Sequence, residues 1–274
     1  MKKFPLFFCY AFSCFAKEIE PPLEVALYLD FVKKTHALFE NMGDFRKGEI
    51  EIVTDPKKIA TILQVHKATL LGKQFDEKSI EEQSKIGIVT EDRYLAWIRD
   101  PVIFPCGATG LYNRIVTKSH FKNGCLGSAI LPVMEGKVFV KISYRHHTRS
   151  WELEIPRGSS KEGETGAETA VRELKEETGI EVQEVGFLGE MNTDSGIVAG
   201  PCKIYWGKVS NKGLSRCDFY DSVSEVELMG VDLLKKGFEE GSMEIEILGR
   251  KEKVHVRDSF TAYALFLAQM KKVV

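Results

Sequence analysis

A glutamate-rich segment between two glycines, residues 158–180, dominates the interpretation of this chain. It reads GSSKEGETGAETAVRELKEETGI. Its apolar residues recur every three or four positions, as on one face of an amphipathic helix; they are Ala167, Ala170, Val171 and Leu174. Thr165 or a neighbouring loop residue can cap the start of such a helix, and Gly179 stands where a left-handed residue commonly ends one. The segment therefore predicts a helix over residues 166–178 with a loop on each side.

Three glutamates of this predicted helix share one side of it. Glu173 and Glu177 are four residues apart, and Glu176 lies beside both. Carboxylates this close repel one another by roughly several tenths of a kcal/mol, which a divalent cation would relieve. Their hard oxygens favour Mg²⁺ or Mn²⁺, and Arg172 can bridge neighbouring carboxylates with its planar guanidinium. A solvated acidic helix face is the alternative, but it leaves the two glycines and Glu164 unexplained.

The same segment resembles the Nudix box, G-x5-E-x7-R-E-U-x-E-E-x-G-U, in which U is an aliphatic residue. Every specified position is filled: Gly158, Glu164, Arg172, Glu173, Leu174, Glu176, Glu177, Gly179 and Ile180. So many positions at fixed spacing make the resemblance specific. It implies an α+β fold class, namely an α/β/α sandwich around a mixed sheet in which the box forms a loop, a helix and a loop. The resemblance covers roughly residues 86–270.

The resemblance also implies an activity and roles for residues. The activity is divalent-metal-dependent hydrolysis of a nucleoside diphosphate linked to another moiety. Glu173 and Glu177 would be the main Mg²⁺ or Mn²⁺ ligands, Glu176 would assist, and Arg172 would orient Glu173. The secondary candidates are the Gly158 carbonyl and Glu164.

The segment just before the box resembles one branch of this family. A strand is followed by Tyr-Arg and then by Trp-x-x-Glu-x-Pro-x-Gly over residues 144–158, as in the ADP-ribose and nucleotide-sugar pyrophosphatases. The resemblance implies that Arg145 contacts phosphate, which suits its bidentate geometry, and that Glu154 helps to hold the substrate. Trp151 has two interpretations, stacking on a base or packing within the fold.

One departure from this branch leaves the substrate open. ADP-ribose enzymes often carry a proline in a Ser-Pro-Gly context beyond the box, whereas this chain has Ser195-Gly196 and only later Pro201. Hydrolysis of dinucleoside polyphosphates or of RNA 5′ ends is therefore an alternative. A catalytically silent nucleotide-sensing module is another, although the acidic triad is complete.

The general base is predicted in a later acidic segment. Glu225, within residues 222–227, is the candidate. Exposed charge at the edge of a strand or helix is the alternative interpretation of this segment.

Composition limits the partners. The chain has 38 basic and 40 acidic side chains, for a net charge of −2, and so lacks an overall positive field for nucleic acid. No apolar run reaches the roughly 20 residues of a membrane-spanning helix. The family resemblance implies a nucleoside-diphosphate-linked small molecule as the partner, and it also implies a homodimer.

The N-terminus raises a question of location. Residues 1–16 contain two lysines and then an apolar run that ends in small residues, which is the layout of a secretory signal peptide. An N-terminal core segment is the alternative. The substrate class favours the cytoplasm, whereas this segment favours export.

The hydrophobic pattern changes near residue 86. Before it, residues 23–41 predict an amphipathic helix, and Asp55-Pro56 predicts the start of another. The apolar positions assigned to the first helix are Leu23, Leu27, Phe31 and Leu38. After residue 86, short β-type runs alternate with glycines, and a C-terminal helix is predicted near residues 258–271.

This pattern divides the chain into three parts. Residues 1–16 form the candidate signal peptide. Residues 17–85 form an extra N-terminal helical or α/β region of unknown role. Residues 86–274 form the hydrolase domain.

Overall fold

The computed structural model describes residues 21–119, 126–210, 216–218 and 223–274. The candidate signal peptide, residues 1–16, lies outside these ranges. The described chain is a mixed α+β structure with two sheets, a small one near the N-terminus and a larger one that carries residues 158–180. None of the helices in the described ranges combines the length and apolar character needed to cross a membrane.

The small sheet belongs to an N-terminal α/β region. Its strands are β1 (Glu51–Ile52), β2 (Gly87–Glu91), β3 (Leu95–Ile103) and β4 (Thr109–Thr117). Its helices are α1 (Leu23–Lys34), α2 (Pro56–Gly72) and α3 (Glu77–Ser84), with 3-10 turns at His36–Phe39 and Phe45–Lys47. Strand β3 pairs with all three other strands of this sheet. Because β1 lies before residue 86 and its partner lies after it, we propose that the N-terminal region extends to about residue 117.

Helix α2 begins as predicted. The Asp55 carboxylate accepts a hydrogen bond from the Lys58 amide at 2.8 Å, and Pro56 occupies the first turn. The helix then buries Ile59 and Leu63 against α1. The predicted start of α2 is therefore confirmed.

The predicted apolar face of α1 was wrong for Leu23 and Leu27, whereas Phe31 packs against two buried clusters and Leu38, in the 3-10 turn after the helix, is buried. The helix ends at Lys34, and Leu23 and Leu27 are 74% and 60% exposed. The buried residues are instead Val25 and Tyr28. The Tyr28 hydroxyl donates a 3.0 Å hydrogen bond to Asp100 on β3, and this long-range contact belongs to the face that α1 turns inward.

Asp100 lies at the centre of a buried polar group in this region. It is 3% exposed and pairs with Arg114 of β4 at 2.8 Å. Burial raises the pKa of the Asp100 carboxyl, and the Arg114 cation opposes this rise. Burial, together with the Asp100 charge, also raises the pKa of Tyr28. These contacts tie α1 to both long strands of the small sheet.

We expect Asp100→Asn to lower the free energy of unfolding by about 3 kcal/mol, because Arg114 would lose its buried counter-charge. Chemical denaturation of the purified chain measures this loss. Asp30→Asn is the matched control, since Asp30 pairs with Lys34 on the surface and should change stability by less than about 0.5 kcal/mol. Equal effects of the two substitutions would contradict the assignment.

The larger sheet has ten strands within the described residues. They are β5 (Ser128–Met134), β6 (Lys137–Arg145), β7 (Ser150–Glu154), β8 (Arg157–Gly158), β9 (Val182–Met191), β10 (Cys202–Val209), β11 (Arg216–Asp218), β12 (Val223–Gly230), β13 (Ser242–Ile247) and β14 (Arg250–His255). Parallel and antiparallel pairs both occur, as in β5–β10 and β6–β7. The predicted mixed sheet is therefore confirmed.

Helices cover both faces of this sheet. They are α4 (Gly166–Thr178), α5 (Val231–Glu240) and α6 (Ser259–Met270). Ala170 and Leu174 of α4 pack into one buried cluster, whereas Leu234 of α5 and Ala264 of α6 pack into another on the opposite face. The result is the expected α/β/α sandwich. Strand β9 ends the sheet order, and Lys271 donates a 3.1 Å hydrogen bond to the Phe187 carbonyl on it.

Candidate active site

Helix α4 forms as its sequence predicts. Thr165 and Glu168 make a reciprocal capping box at its start, and the Thr165 amide donates to the Glu168 carboxylate at 2.8 Å. Gly179 ends the helix with φ of 68°, a left-handed conformation that glycine adopts at little cost. Residues within this one segment thus fix both ends of the helix. The position of the two ends determines where its glutamates point.

Arg172 holds the carboxylates on the outer part of this helix. Its guanidinium donates to Glu173 at 2.7 Å, to Glu176 at 2.9 Å and to Glu164 at 2.7 and 3.0 Å. A further bond to the Ser159 carbonyl spans 2.9 Å. Hydrogen bonding from Arg172 lowers the pKa of Glu164 to about 2. The arginine therefore ties the helix to the loop before it and limits the rotamers of three glutamates.

Glu177 lies deeper and has different partners. Its carboxylate accepts a 2.5 Å hydrogen bond from the Lys141 ammonium of β6 and a 3.1 Å bond from the Arg157 amide. Burial raises the pKa of Glu177, and the Lys141 cation opposes this rise. Lys141 itself is 3% exposed. A buried lysine thus favours the ionised form of the innermost glutamate.

Glu154 connects this glutamate to the cations before the box. It is 1% exposed, and it accepts from Arg145 at 2.5 and 3.0 Å. Arg157 lies 3.0 Å away and Lys141 lies 3.4 Å away. The register of β6 and β7 places Lys141 opposite Glu154. One buried carboxylate therefore fixes three cations beside the acidic side of α4.

A cleft of about 590 Å³ opens beside these groups. Arg145, Arg157 and Arg257 line it, and each is paired with a carboxylate. Arg157 pairs with Asp258 at 2.9 Å, and Arg257 pairs with Glu152 at 2.7 Å. The cleft is thus rich in guanidinium groups whose positions are set by fixed acidic partners.

Sequence reasoning missed Lys141 and Arg157. Lys141 stands within an apolar run, and only its pairing with Glu154 across two strands reveals its role. Arg157 is next to Gly158, and its contact with Glu154 lies only three residues away, whereas its contact with Asp258 joins distant parts of the chain. The alternation of side chains along β7 was the available signal, since Glu152 and Glu154 are two residues apart in a strand and so point to the same face of the sheet.

Two predicted site residues lie on the other face of the sheet. Trp151 packs against the core cluster beneath α5 and α6, with its ring edge-on to Tyr144 at 5.6 Å. Glu225 pairs with Ile142, whose side chain belongs to that same cluster. Because neighbouring residues of a strand point to opposite faces, Ile142 and Lys141 are separated by the sheet. The structure therefore does not bring Trp151 or Glu225 to the acidic side of α4.

The chemistry of the glutamate patch suits a hard divalent cation. Glu173, Glu176 and Glu177 present carboxylate oxygens, and the Gly158 backbone lies so close to Glu173 that any side chain at residue 158 would overlap its carboxylate. Such oxygen donors fit Mg²⁺ or Mn²⁺. In the described ranges, no three acidic, histidine or cysteine side chains converge closely enough to form a metal site. Glu177 pairs instead with Lys141, and Glu173 and Glu176 pair with Arg172.

The fold and the segment of residues 158–180 together define a hydrolase of pyrophosphate bonds. Residues 127–210 match the NUDIX domain family, which identifies this part of the chain as a Nudix domain. An ADP compounds hydrolase of known structure has a similar fold, with a TM-score of 0.52 and 19% identity, covering 67% of this chain and 89% of that chain. A methanol dehydrogenase activator from Bacillus methanolicus is 28% identical over 202 residues, which cover 74% of this chain and 97% of the relative.

Proposed function

We propose that this hydrolase cleaves the pyrophosphate of ADP-ribose or of a nucleotide sugar. The main support is the contact between two groups of residues with complementary chemistry. Glu177, a metal-ligand candidate, accepts a hydrogen bond from the amide of Arg157, whose guanidinium lines the cleft. The candidate phosphate-binding cations and the candidate metal ligands are therefore neighbours. The structural neighbour hydrolyses ADP compounds, which adds support for an adenine nucleotide.

Each residue of the patch has a proposed role. Glu173, Glu176, Glu177 and the Gly158 carbonyl would hold Mg²⁺ or Mn²⁺. When bound, the ion would neutralise negative charge on the phosphate and lower the pKa of its bound water. Arg172 keeps Glu173 in place, and Lys141 keeps Glu177 ionised. No general base is included, because Glu225 faces the other side of the sheet.

The cleft arginines have the task of orienting the diphosphate. Arg145 and Arg157 are locked by Glu154, so little side-chain entropy remains to be lost when substrate binds. Glu154 is almost fully buried and acts on substrate through these arginines. Orientation of the diphosphate, rather than proton transfer, would then account for selectivity.

A substrate panel tests this proposal. Purified protein is incubated with Mg²⁺ or Mn²⁺ and with ADP-ribose, UDP-glucose, diadenosine polyphosphate or 5′-triphosphorylated RNA. We expect AMP and ribose 5-phosphate from ADP-ribose. Preferred turnover of the dinucleotide or of RNA would favour the second candidate function. Binding of ADP-ribose without turnover would contradict the proposal.

Arg145→Lys should raise KM by about tenfold, because an ammonium cannot reproduce the bidentate contact of a guanidinium with phosphate. The value of kcat should change less. Steady-state kinetics with the preferred substrate of the panel measures both parameters. Arg250→Lys, at an exposed hairpin position, is the control. An unchanged KM for Arg145→Lys would remove Arg145 from the proposed site.

Location and assembly are proposed from the substrate class and the family. Nucleotide sugars and free Mg²⁺ are kept in the cytoplasm, so we place the protein there, with export through residues 1–16 as the alternative. N-terminal sequencing of the mature protein distinguishes the two. The homodimer implied by the family stays a prediction.

A further inference from the structure

The connection between β9 and β10, residues 192–201, runs from the cleft to the N-terminal region. Thr193 near its start and Cys202 just after its end both line the cleft. Between them Asp194 shapes a turn, since its carboxylate accepts from the Gly196 amide at 2.9 Å and its carbonyl accepts from the Val198 amide at 2.9 Å. Residues 192–197 are exposed to solvent. The contacts that the connection makes away from the cleft, at residues 197–199, therefore determine how firmly it is held.

The part of this connection that lies away from the cleft, residues 197–199, pairs with Ile115 of β4. The Ile115 amide donates to the Ile197 carbonyl at 2.8 Å, and the Ala199 amide donates to the Ile115 carbonyl at 2.9 Å. The pair forms a parallel bridge between Ile115 and Val198. Ala199 also packs against the buried cluster under the small sheet, which contains Leu38, Phe39, Ala96, Ile98 and Val116. The connection is thus attached to the edge of the small sheet by backbone bonds and by packing.

We propose that the N-terminal α/β region positions the Thr193 side of the substrate cleft through this bridge, with Ile115 as the positioning residue. The inference rests on the proposed function. A connection of this length has many conformations, and ordering it costs about 1–2 kcal/mol per residue of backbone entropy. The Ile115 bonds offset that cost before substrate arrives. If the connection were released from Ile115, it would bind substrate more weakly. The glutamates of α4 would keep their positions.

Ile115→Pro tests the bridge with little other change. Ile115 faces Trp97 across β3 and β4, but its amide and carbonyl both point to the connection, so proline removes one bridge bond. Ala199→Pro removes the other bond from the opposite side. For both variants we expect KM for the preferred substrate to rise at least about fivefold with kcat within about twofold. The dependence on Mg²⁺ concentration should not change.

Ile115→Ala is the matched control, because it keeps both backbone bonds and loses only the side chain. It should stay within about twofold of the natural protein in KM. Hydrogen exchange on the full chain provides an independent measurement. In Ile115→Pro the amides of Ala199 and Val198, which are hydrogen-bonded within this connection and its bridge, should exchange faster, whereas the Ile98 amide in β3 should keep its protection and so report an intact sheet.

Two results would overturn the inference. One is an unchanged KM in Ile115→Pro together with faster exchange at Ala199. The other is an equal rise of KM in Ile115→Ala. Should the natural protein turn over nothing in the panel, the proposed function fails, and exchange at Val198 alone decides: faster exchange in Ile115→Pro supports the positioning role, and unchanged exchange refutes it.

Discussion

Glu177→Gln is expected to lower kcat by about 10³-fold or more, because the patch would lose the charge of its innermost carboxylate. Glutamine is nearly isosteric, and its one oxygen can still accept from either Lys141 or the Arg157 amide, whereas its NH2 group takes the place of the other acceptor oxygen. The fold should therefore survive, with a modest loss of stability. Steady-state turnover with Mg²⁺ and calorimetric titration of Mg²⁺ into the protein measure the two effects.

Glu184→Gln is the control for this substitution. Glu184 is exposed on β9 and should leave both turnover and Mg²⁺ uptake unchanged. A Glu177→Gln protein with the natural rate would exclude Glu177 as a ligand. A protein that unfolds would be distinguished by circular dichroism before any kinetic conclusion is drawn.

The second large effect is expected for Glu154→Gln. Three cations converge on this buried carboxylate, and removal of the single charge leaves them facing one another. Breaking a buried ion pair in this way typically costs roughly 3–5 kcal/mol. For a chain of this size the melting temperature should fall by about 10 °C. Substrate affinity should fall too, because Arg145 and Arg157 would lose the group that fixes them.

Thermal unfolding followed by circular dichroism measures this loss. Glu239→Gln is the control, since Glu239 is exposed on α5 and should change the melting temperature by less than about 2 °C. A shift of similar size in both variants would show that the three cations do not depend on Glu154.

Local sequence determines the parts of this structure that were predicted correctly. The spacing in α4 and the capping residues at Thr165 and Gly179 act within one segment, so one segment was enough to predict them. The start of α2 at Asp55 is local for the same reason. The complete set of glutamates also made the class of site evident, because its spacing is fixed along the chain.

Long-range pairing determines the parts that were missed. The inward face of α1 depends on Asp100, which is 72 residues away from Tyr28, and no periodicity within the helix reveals that partner. Lys141 resembles an ordinary strand residue until β6 and β7 are placed in register. Trp151 had two interpretations because the choice depends on which face of β7 meets the cleft. Each of these facts depends on how separate elements of the chain come together.

The contact of Lys271 with β9 has a consequence for assembly. An outermost strand offers unpaired amides and carbonyls to any other extended chain, and a lysine placed there discourages such pairing. Lys271 occupies the Phe187 carbonyl and sets its ammonium 5.9 Å from the Phe187 ring. A second molecule that approached along β9 would have to displace and desolvate this charge. Self-association and aggregation by strand addition are therefore directed away from this edge.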